Sequence, residues 1–223
     1  LSLGAEAAAP IAAFGGTFDP VHLGHLRVAA GTAAALRLPE VRLIPSQRPV
    51  HRSAPGATGA QRLTMLRLAV ADWPGLTVDA RELERDTPSY TVLTLESLRA
   101  EYPSAPILWL IGIDAFLGLP TWHDWTRLFE LAHFVVLNRP GTPVAQALDA
   151  RRAPWALPRL TRSADELRST PQGRIHLHTV APQAISASTI RARIAAGASD
   201  DELLQLLPRS VLAYIRSHHL YTA

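Results

Sequence analysis

The chain has no cysteine, so it carries no disulfide, no thiolate nucleophile and no cysteine-built zinc site. It has no lysine either: all 22 basic residues are arginine, against 19 acidic ones. Its basic character therefore rests on arginine and a net charge of only +3, not on a dense polybasic face. The arginines are scattered, with small groups only at 48–52 and 151–162, a pattern that does not favour nucleic acid as the partner. No stretch approaches the roughly 20 apolar residues that span a bilayer. Residues 1–9 lack the basic start and apolar run of a secretory signal. The expectation is a cytoplasmic protein with no membrane and no nucleic-acid partner; homo-oligomerisation stays open.

What is present is core-forming material. Apolar residues make up 48% of the 223, which suits one sizeable domain over residues 10–223. The chain is organised around Phe14-Gly15-Gly16-Thr17-Phe18-Asp19-Pro20-Val21-His22-Leu23-Gly24-His25. The apolar run 11–14 leads in as a buried strand, and the small and apolar residues 26–36 lead out as a helix. Between them lies a turn rich in backbone amides, where two glycines let main chain approach a ligand and the helix turns its positive end back. Such a turn seats phosphate. His22 and His25, three residues apart, can share one side of the helix's first turn and meet the same anion.

Further along, 41–45 reads as a second strand, 61–71 as a helix with Leu63, Leu66 and Val70 on one face, and 76–79 as a third strand. A helix over 91–102 follows, and 107–111 is apolar enough to be a central buried strand. Strands alternating with helices imply parallel crossovers, hence an α/β, doubly wound parallel sheet. Ligands gather at the carboxyl ends of such strands, which sets Gly112 and Asp114 near the histidine motif. Residues 125–131 read as a short helix and 133–137 as another strand. Residues 142–173 differ in composition and read as a partly helical excursion, helical over 164–168; 174–180 is the last expected strand of a core ending at 185. Short helices over 188–196, 200–207 and 209–218 form a small C-terminal helical portion within 186–223.

Ser186, Ser188 and Arg191 open the first of these helices, as an N-cap on the bland reading or as an anion site on the sharper one. The loop 45–52 holds Arg48, His51 and Arg52 at the sheet's functional edge, where arginine can clamp phosphate. In the Pro120 turn, Trp122 is the better candidate for stacking on a planar ring, while Trp125 fits the core with Leu128 and Phe129. His176 and His178 share a strand face and are expected to be solvated, as are His218 and His219; nothing has zinc spacing.

The string His22-Leu23-Gly24-His25 resembles the T/HxGH signature of the nucleotidyltransferase superfamily, and Ile185 to Arg191 resembles its ISxTxIR-like motif. Pro49-Val50-His51-Arg52, Ser89-Tyr90-Thr91, Gly112-Ile113-Asp114, Leu119-Pro120-Thr121-Trp122 and Arg139-Pro140-Gly141 then follow in the order found in the bacterial nicotinate-nucleotide adenylyltransferases. Val50 stands where that family usually has a second proline, and Leu93 where an aspartate is common. The resemblance implies a Rossmann-like fold and adenylyl transfer from ATP to nicotinate mononucleotide, with Mg²⁺ accompanying ATP. It implies catalytic His22 and His25, with one or both protonated as charge builds on pyrophosphate. ATP would also meet Gly15, Gly16, Thr17, Phe18, Gly112, Asp114, Ser186, Ser188 and Arg191; the mononucleotide would meet His51, Arg52, Thr91, Trp122 and Arg139. Alternatives are the same fold with nicotinamide mononucleotide or phosphopantetheine as acceptor, or a non-catalytic nucleotide-binding module.

Overall fold

A computed structural model describes residues 8–48, 55–138, 153–181 and 184–222. Its frame is a seven-stranded sheet: β1 (Ile11–Gly16), β2 (Val41–Pro45), β3 (Leu76–Val78), β4 (Ile107–Gly112), β5 (His133–Asn138), β6 (Leu160–Thr161) and β7 (Ile175–Thr179). The spatial order is β3-β2-β1-β4-β5-β7-β6, and every neighbouring pair is parallel. The chain winds outward from β1 to β3, returns to lay β4 and then β5 on the other side of β1, runs to the far edge as β6 and comes back to place β7 between β5 and β6. The winding direction therefore reverses between β1 and β4, where a crevice opens at the strand ends. The register Ile11↔Ile107 to Phe14↔Leu110 brings these two strands to an end side by side.

Strand alternation splits the apolar residues between two layers. Ala12, Leu108, Leu110, Val135 and Leu137 face one core, while Ala13, Trp109, Phe134 and Val136 face the other. The first core is covered by α1 (Leu23–Ala35), α2 (Gly59–Val70), α7 (Ala187–Ala195), α8 (Asp200–Leu204) and α9 (Arg209–Ser217), through residues such as Leu26, Met65, Ile190, Leu203 and Ile215. The second is covered by α3 (Thr91–Glu101), α4 (Ile113–Leu117) and α5 (Leu128–Leu131), through Val92, Leu95, Phe116 and Phe129. Helices on both faces of an all-parallel sheet make the α/β, Rossmann-like doubly wound fold expected from the sequence. The C-terminal helices bury their apolar stripes in the same core as α1 and α2.

Three readings need correction. The excursion at 142–173, expected to be partly helical, does hold a short helix α6 (Glu166–Ser169), but its described part also contributes β6, an edge strand paired with β7, which was not expected. Two residues are too short to leave an alternation in the sequence. β1 runs on through both glycines, because Gly15 and Gly16 pair with Ile44 and Pro45 of β2. His176 and His178 are half-buried on β7, and burial lowers both imidazoles below the ordinary range, so neither is a solvated surface histidine.

Candidate active site

Gly15 is required by packing before any ligand is considered, and Gly16 is tightly bounded. A Cβ at Gly15 would stand 2.5 Å from Trp109 Cζ2, and one at Gly16 would stand 3.0 Å from the Phe18 ring. Phe18 turns the chain with φ 48° and is buried, its ring edge-on to His25 at 5.0 Å. The amides of Thr17 and Phe18 have no hydrogen-bond partner among the described residues.

Helix α1 begins at Leu23, which places the histidine pair at its first turn as the spacing suggested, and histidine supplies the cap. His22 is the N-cap residue; its Nδ1 accepts from the His25 amide, and His25 Nδ1 accepts from the His22 amide, each at 3.3 Å. The rings stack at 3.6 Å with 20° between their planes. This is a capping box made of two imidazoles. It also fixes the tautomer: with Nδ1 accepting, the proton of each neutral ring sits on Nε2, and a second proton would have to break a cap bond. His22 is only 5% exposed, and burial lowers its pKa from 6.5 to about 4. The expectation that the pair carries positive charge thus meets an obstacle at His22, which is built to donate as a neutral imidazole.

Asp19, buried in the same turn, joins the other segments. Its Oδ2 accepts from the Gly56 amide at 2.8 Å, and its Oδ1 accepts from the Ala57 amide at 3.1 Å and from the Tyr221 hydroxyl at 2.7 Å. Arg191 of α7 donates through Nη1 to the Asp19 carbonyl at 2.7 Å. Arg62 of α2, 1% exposed, donates to the carbonyls of Thr17 at 2.7 Å and Ala57 at 3.3 Å. Desolvation lowers the Arg62 pKa, though the Asp19 charge opposes it. Two guanidinium groups therefore stand beside one carboxylate, leaving a positive excess against the histidine turn.

At the start of α7, Ser186 is the N-cap, its Oγ accepting from the Thr189 amide at 3.2 Å. The Ser186 hydroxyl also lies 3.1 Å from Ser188 Oγ and 2.8 Å from Thr189 Oγ1, so an exposed hydroxyl cluster opens the helix that carries Arg191. The cap and the anion-site readings of this motif are compatible. Gly112 caps α4, exposed, with open space where a Cβ would be; Asp114 is exposed in the first turn.

On the other side of the crevice, Ser89 Oγ accepts the amides of Gln47 at 2.8 Å and Arg48 at 3.2 Å, fastening the root of the loop after β2 beside α3. A buried carboxylate backs this contact: Glu82 accepts from Thr94 Oγ1 at 2.6 Å and from the Ser89 side chain, with its pKa raised by burial. Helix α3 has no side-chain cap at Tyr90 and no acid in its first turn, where Thr91 stands. Tyr90 packs on His123, ring centroids 4.4 Å apart and tilted by 30°, bringing the Thr91 turn and the Trp122 turn together. Trp122 is half-buried against the second core, and Trp125 packs on Trp155 at 5.1 Å as expected of a core residue. His51, Arg52 and Arg139 lie outside the described residues.

Asp19, Arg62 and Tyr221 were not singled out as site residues in the sequence. Asp19 stands inside the glycine motif, but its partners come from 37, 38 and 202 positions away, a pairing that no local pattern encodes. Among the described residues no three His, Cys, Asp or Glu side chains gather as a metal site, and no helix is long and apolar enough to cross a membrane.

With this geometry in hand, the chain can be set beside known proteins. The cytidylyltransferase-like family profile matches residues 13–193. A protein of Stenotrophomonas maltophilia (strain K279a) named nicotinate-nucleotide adenylyltransferase is 47% identical over 215 residues, covering 93% of this chain and 95% of that one. One of the same name from Pseudomonas paraeruginosa is 49% identical over 216 residues, covering 96% and 97%. The fold is similar to that of Plasmodium falciparum nicotinic acid mononucleotide adenylyltransferase complexed with NaAD, with a TM-score of 0.70 at 15% identity, over 96% of this chain and 97% of that one. Identity of this order across nearly the whole length means that the chain belongs to the cytidylyltransferase-like family and, within it, to the nicotinate-nucleotide adenylyltransferases.

Proposed function

We infer that the chain transfers the adenylyl group of ATP to nicotinate mononucleotide, releasing pyrophosphate and forming deamido-NAD, a step of NAD biosynthesis. Family membership supports the reaction. The observation that carries the site is the Asp19 junction, through which the histidine turn and the Arg191 helix, far apart in sequence, are held against each other.

A phosphate oxygen of the mononucleotide attacks the α-phosphorus of ATP, and the bond to the β-phosphate oxygen breaks. The nucleophile belongs to the substrate, so a chain without cysteine lacks nothing the reaction needs. What opposes the reaction is charge: two unit charges 4 Å apart repel by about 4 kcal/mol at an effective dielectric near 20. The protein's task is alignment and neutralisation. In this reading His22 and His25 donate Nε2–H to the triphosphate, aided by the amides of Thr17 and Phe18. Ser186, Ser188 and Arg191 meet it from α7, and Asp114 takes the ribose hydroxyls of ATP. Preorganised donors of this kind lower the barrier because they need not reorganise as charge moves to the leaving group.

Mg²⁺ is proposed to arrive with ATP. The described residues offer no cluster of carboxylates for it, and Asp19 is committed to protein donors, so phosphate oxygens and water would hold the ion and it would shield their charge. The acceptor side supports the acid over the amide. An uncapped α3 N-terminus with no acid in its first turn attracts a carboxylate, and Trp122, in the turn that Tyr90 and His123 hold beside it, is the ring assigned to the pyridine. His51, Arg52 and Arg139 are assigned to the mononucleotide on the resemblance alone.

The test is pyrophosphate release from ATP by the purified protein with nicotinate mononucleotide, nicotinamide mononucleotide and phosphopantetheine in parallel. Fastest release with the nicotinate compound is expected. ATP binding without release, or faster release with either alternative, would contradict the reading.

A further inference from the structure

Tyr221 follows α9 at a position that strains the backbone. His219 and Tyr221 have φ of 51° and 62°, in the left-handed region that bulky side chains rarely adopt. The ring lies over Gly56, where an added Cβ would come within 3.1 Å of Tyr221 Cδ1 and Cε1. Its hydroxyl ends on Asp19 Oδ1 at 2.7 Å. Burial, then the neighbouring carboxylate, raises the phenol's pKa, so the group remains a donor.

The charge arrangement around that contact is unusual. Among the described residues, every hydrogen bond to the Asp19 carboxylate comes from a neutral group: the Gly56 amide, the Ala57 amide and the Tyr221 phenol. Arg191 stands 3.6 Å from Oδ2, beyond a good hydrogen bond, and spends its Nη1 on the Asp19 carbonyl. A guanidinium beside a carboxylate ordinarily closes into a charge-assisted, often two-pronged pair. Here neutral donors occupy the oxygens and the arginine is held alongside.

We propose that Tyr221 is a positioning residue for ATP: by satisfying Asp19 with a neutral donor, it keeps the Arg191 guanidinium from pairing fully with that carboxylate and leaves its charge for the polyphosphate. The inference rests on the reading of Arg191 as an ATP ligand. Without the hydroxyl, Oδ1 keeps only the Ala57 amide, and the Arg191 guanidinium, 3.6 Å from Oδ2 of the same carboxylate, is the charged donor within reach. Closing that pair turns Arg191 toward the protein.

The experiment compares wild type with Tyr221→Phe, Gly56→Ala and Arg191→Ala by steady-state kinetics in both substrates and by thermal melting. Tyr221→Phe keeps the ring and removes only the hydroxyl; Gly56→Ala keeps the phenol and displaces its ring. Arg191→Ala is expected to raise KM for ATP by about tenfold or more, and each of the other two by about fivefold, with KM for nicotinate mononucleotide unchanged. Loss of stability with no split between the two KM values would mean a merely structural tyrosine and would overturn the inference. So would an unchanged KM for ATP in both Tyr221→Phe and Gly56→Ala while Arg191→Ala shows its rise. An unchanged KM for ATP in Arg191→Ala would instead remove the reading of Arg191, and this inference with it.

Discussion

His22→Asn separates the two roles of the histidine box. Asparagine is among the best N-cap residues, and its side-chain carbonyl can accept the His25 amide that Nδ1 accepts at 3.3 Å. The cap survives, while the stacked ring and the Nε2–H donor are lost. Loss of the aromatic contact sets a stability cost of about 1 kcal/mol near neutral pH. Loss of a transition-state donor lowers kcat by about a hundredfold or more. The pH dependence gives an independent check. His22 has a folded-state pKa of about 4 against 6.5 for an ordinary histidine, so between these values the unfolded chain binds a proton that the folded chain refuses. Stability from this residue is therefore present above pH 6.5 and lost as pH falls toward 4, by about 3 kcal/mol in all. His22→Asn should lack that part of the slope: less stable than wild type near pH 7.5, it should equal or exceed it near about pH 4.5. Urea unfolding across this range, with pyrophosphate release at neutral pH, measures both. Parallel stability profiles for the two proteins, or near wild-type turnover in a folded variant, would refute the reasoning.

Gly15→Ala should destabilise by about 1–3 kcal/mol, seen as a lower melting temperature, because the new Cβ would sit 2.5 Å from a buried indole. An unchanged melting point would mean that Trp109 has room to move. Trp122→Ala should raise KM for the mononucleotide by about tenfold and leave that for ATP alone, since only the pyridine-side face is removed. A rise confined to ATP would refute the stacking assignment.

The fold was legible because its signals are local. The apolar run ending in Ile111 reads as a buried strand, and the strand–helix alternation dictates parallel crossovers. What local pattern missed has physical causes. The start of α1 was readable but its cap was not: a histidine acts as N-cap, a role usually assigned to Ser, Thr, Asp or Asn, so the motif's chemistry hid its capping. β6 is too short to alternate. In the site, the histidine pair and the hydroxyls opening α7 were visible as contiguous strings. The Asp19 junction was not, because its meaning lies in Gly56, Ala57, Arg191 and Tyr221, which only the folded chain brings to it. The glycines were read for ligand approach, yet Gly15 is already set by packing against Trp109 across β1 and β4, and Gly16 is held tight by the Phe18 ring in the turn that follows.

The central claim is that the β1–α1 turn and the α7 helix, joined at Asp19, hold one triphosphate between them. A crystal structure with a non-hydrolysable ATP analogue tests this most directly. The account predicts phosphate oxygens within about 3.2 Å of His22 Nε2, His25 Nε2 and the Arg191 guanidinium. A triphosphate bound away from these groups, or touching one of the two elements and not the other, would contradict it.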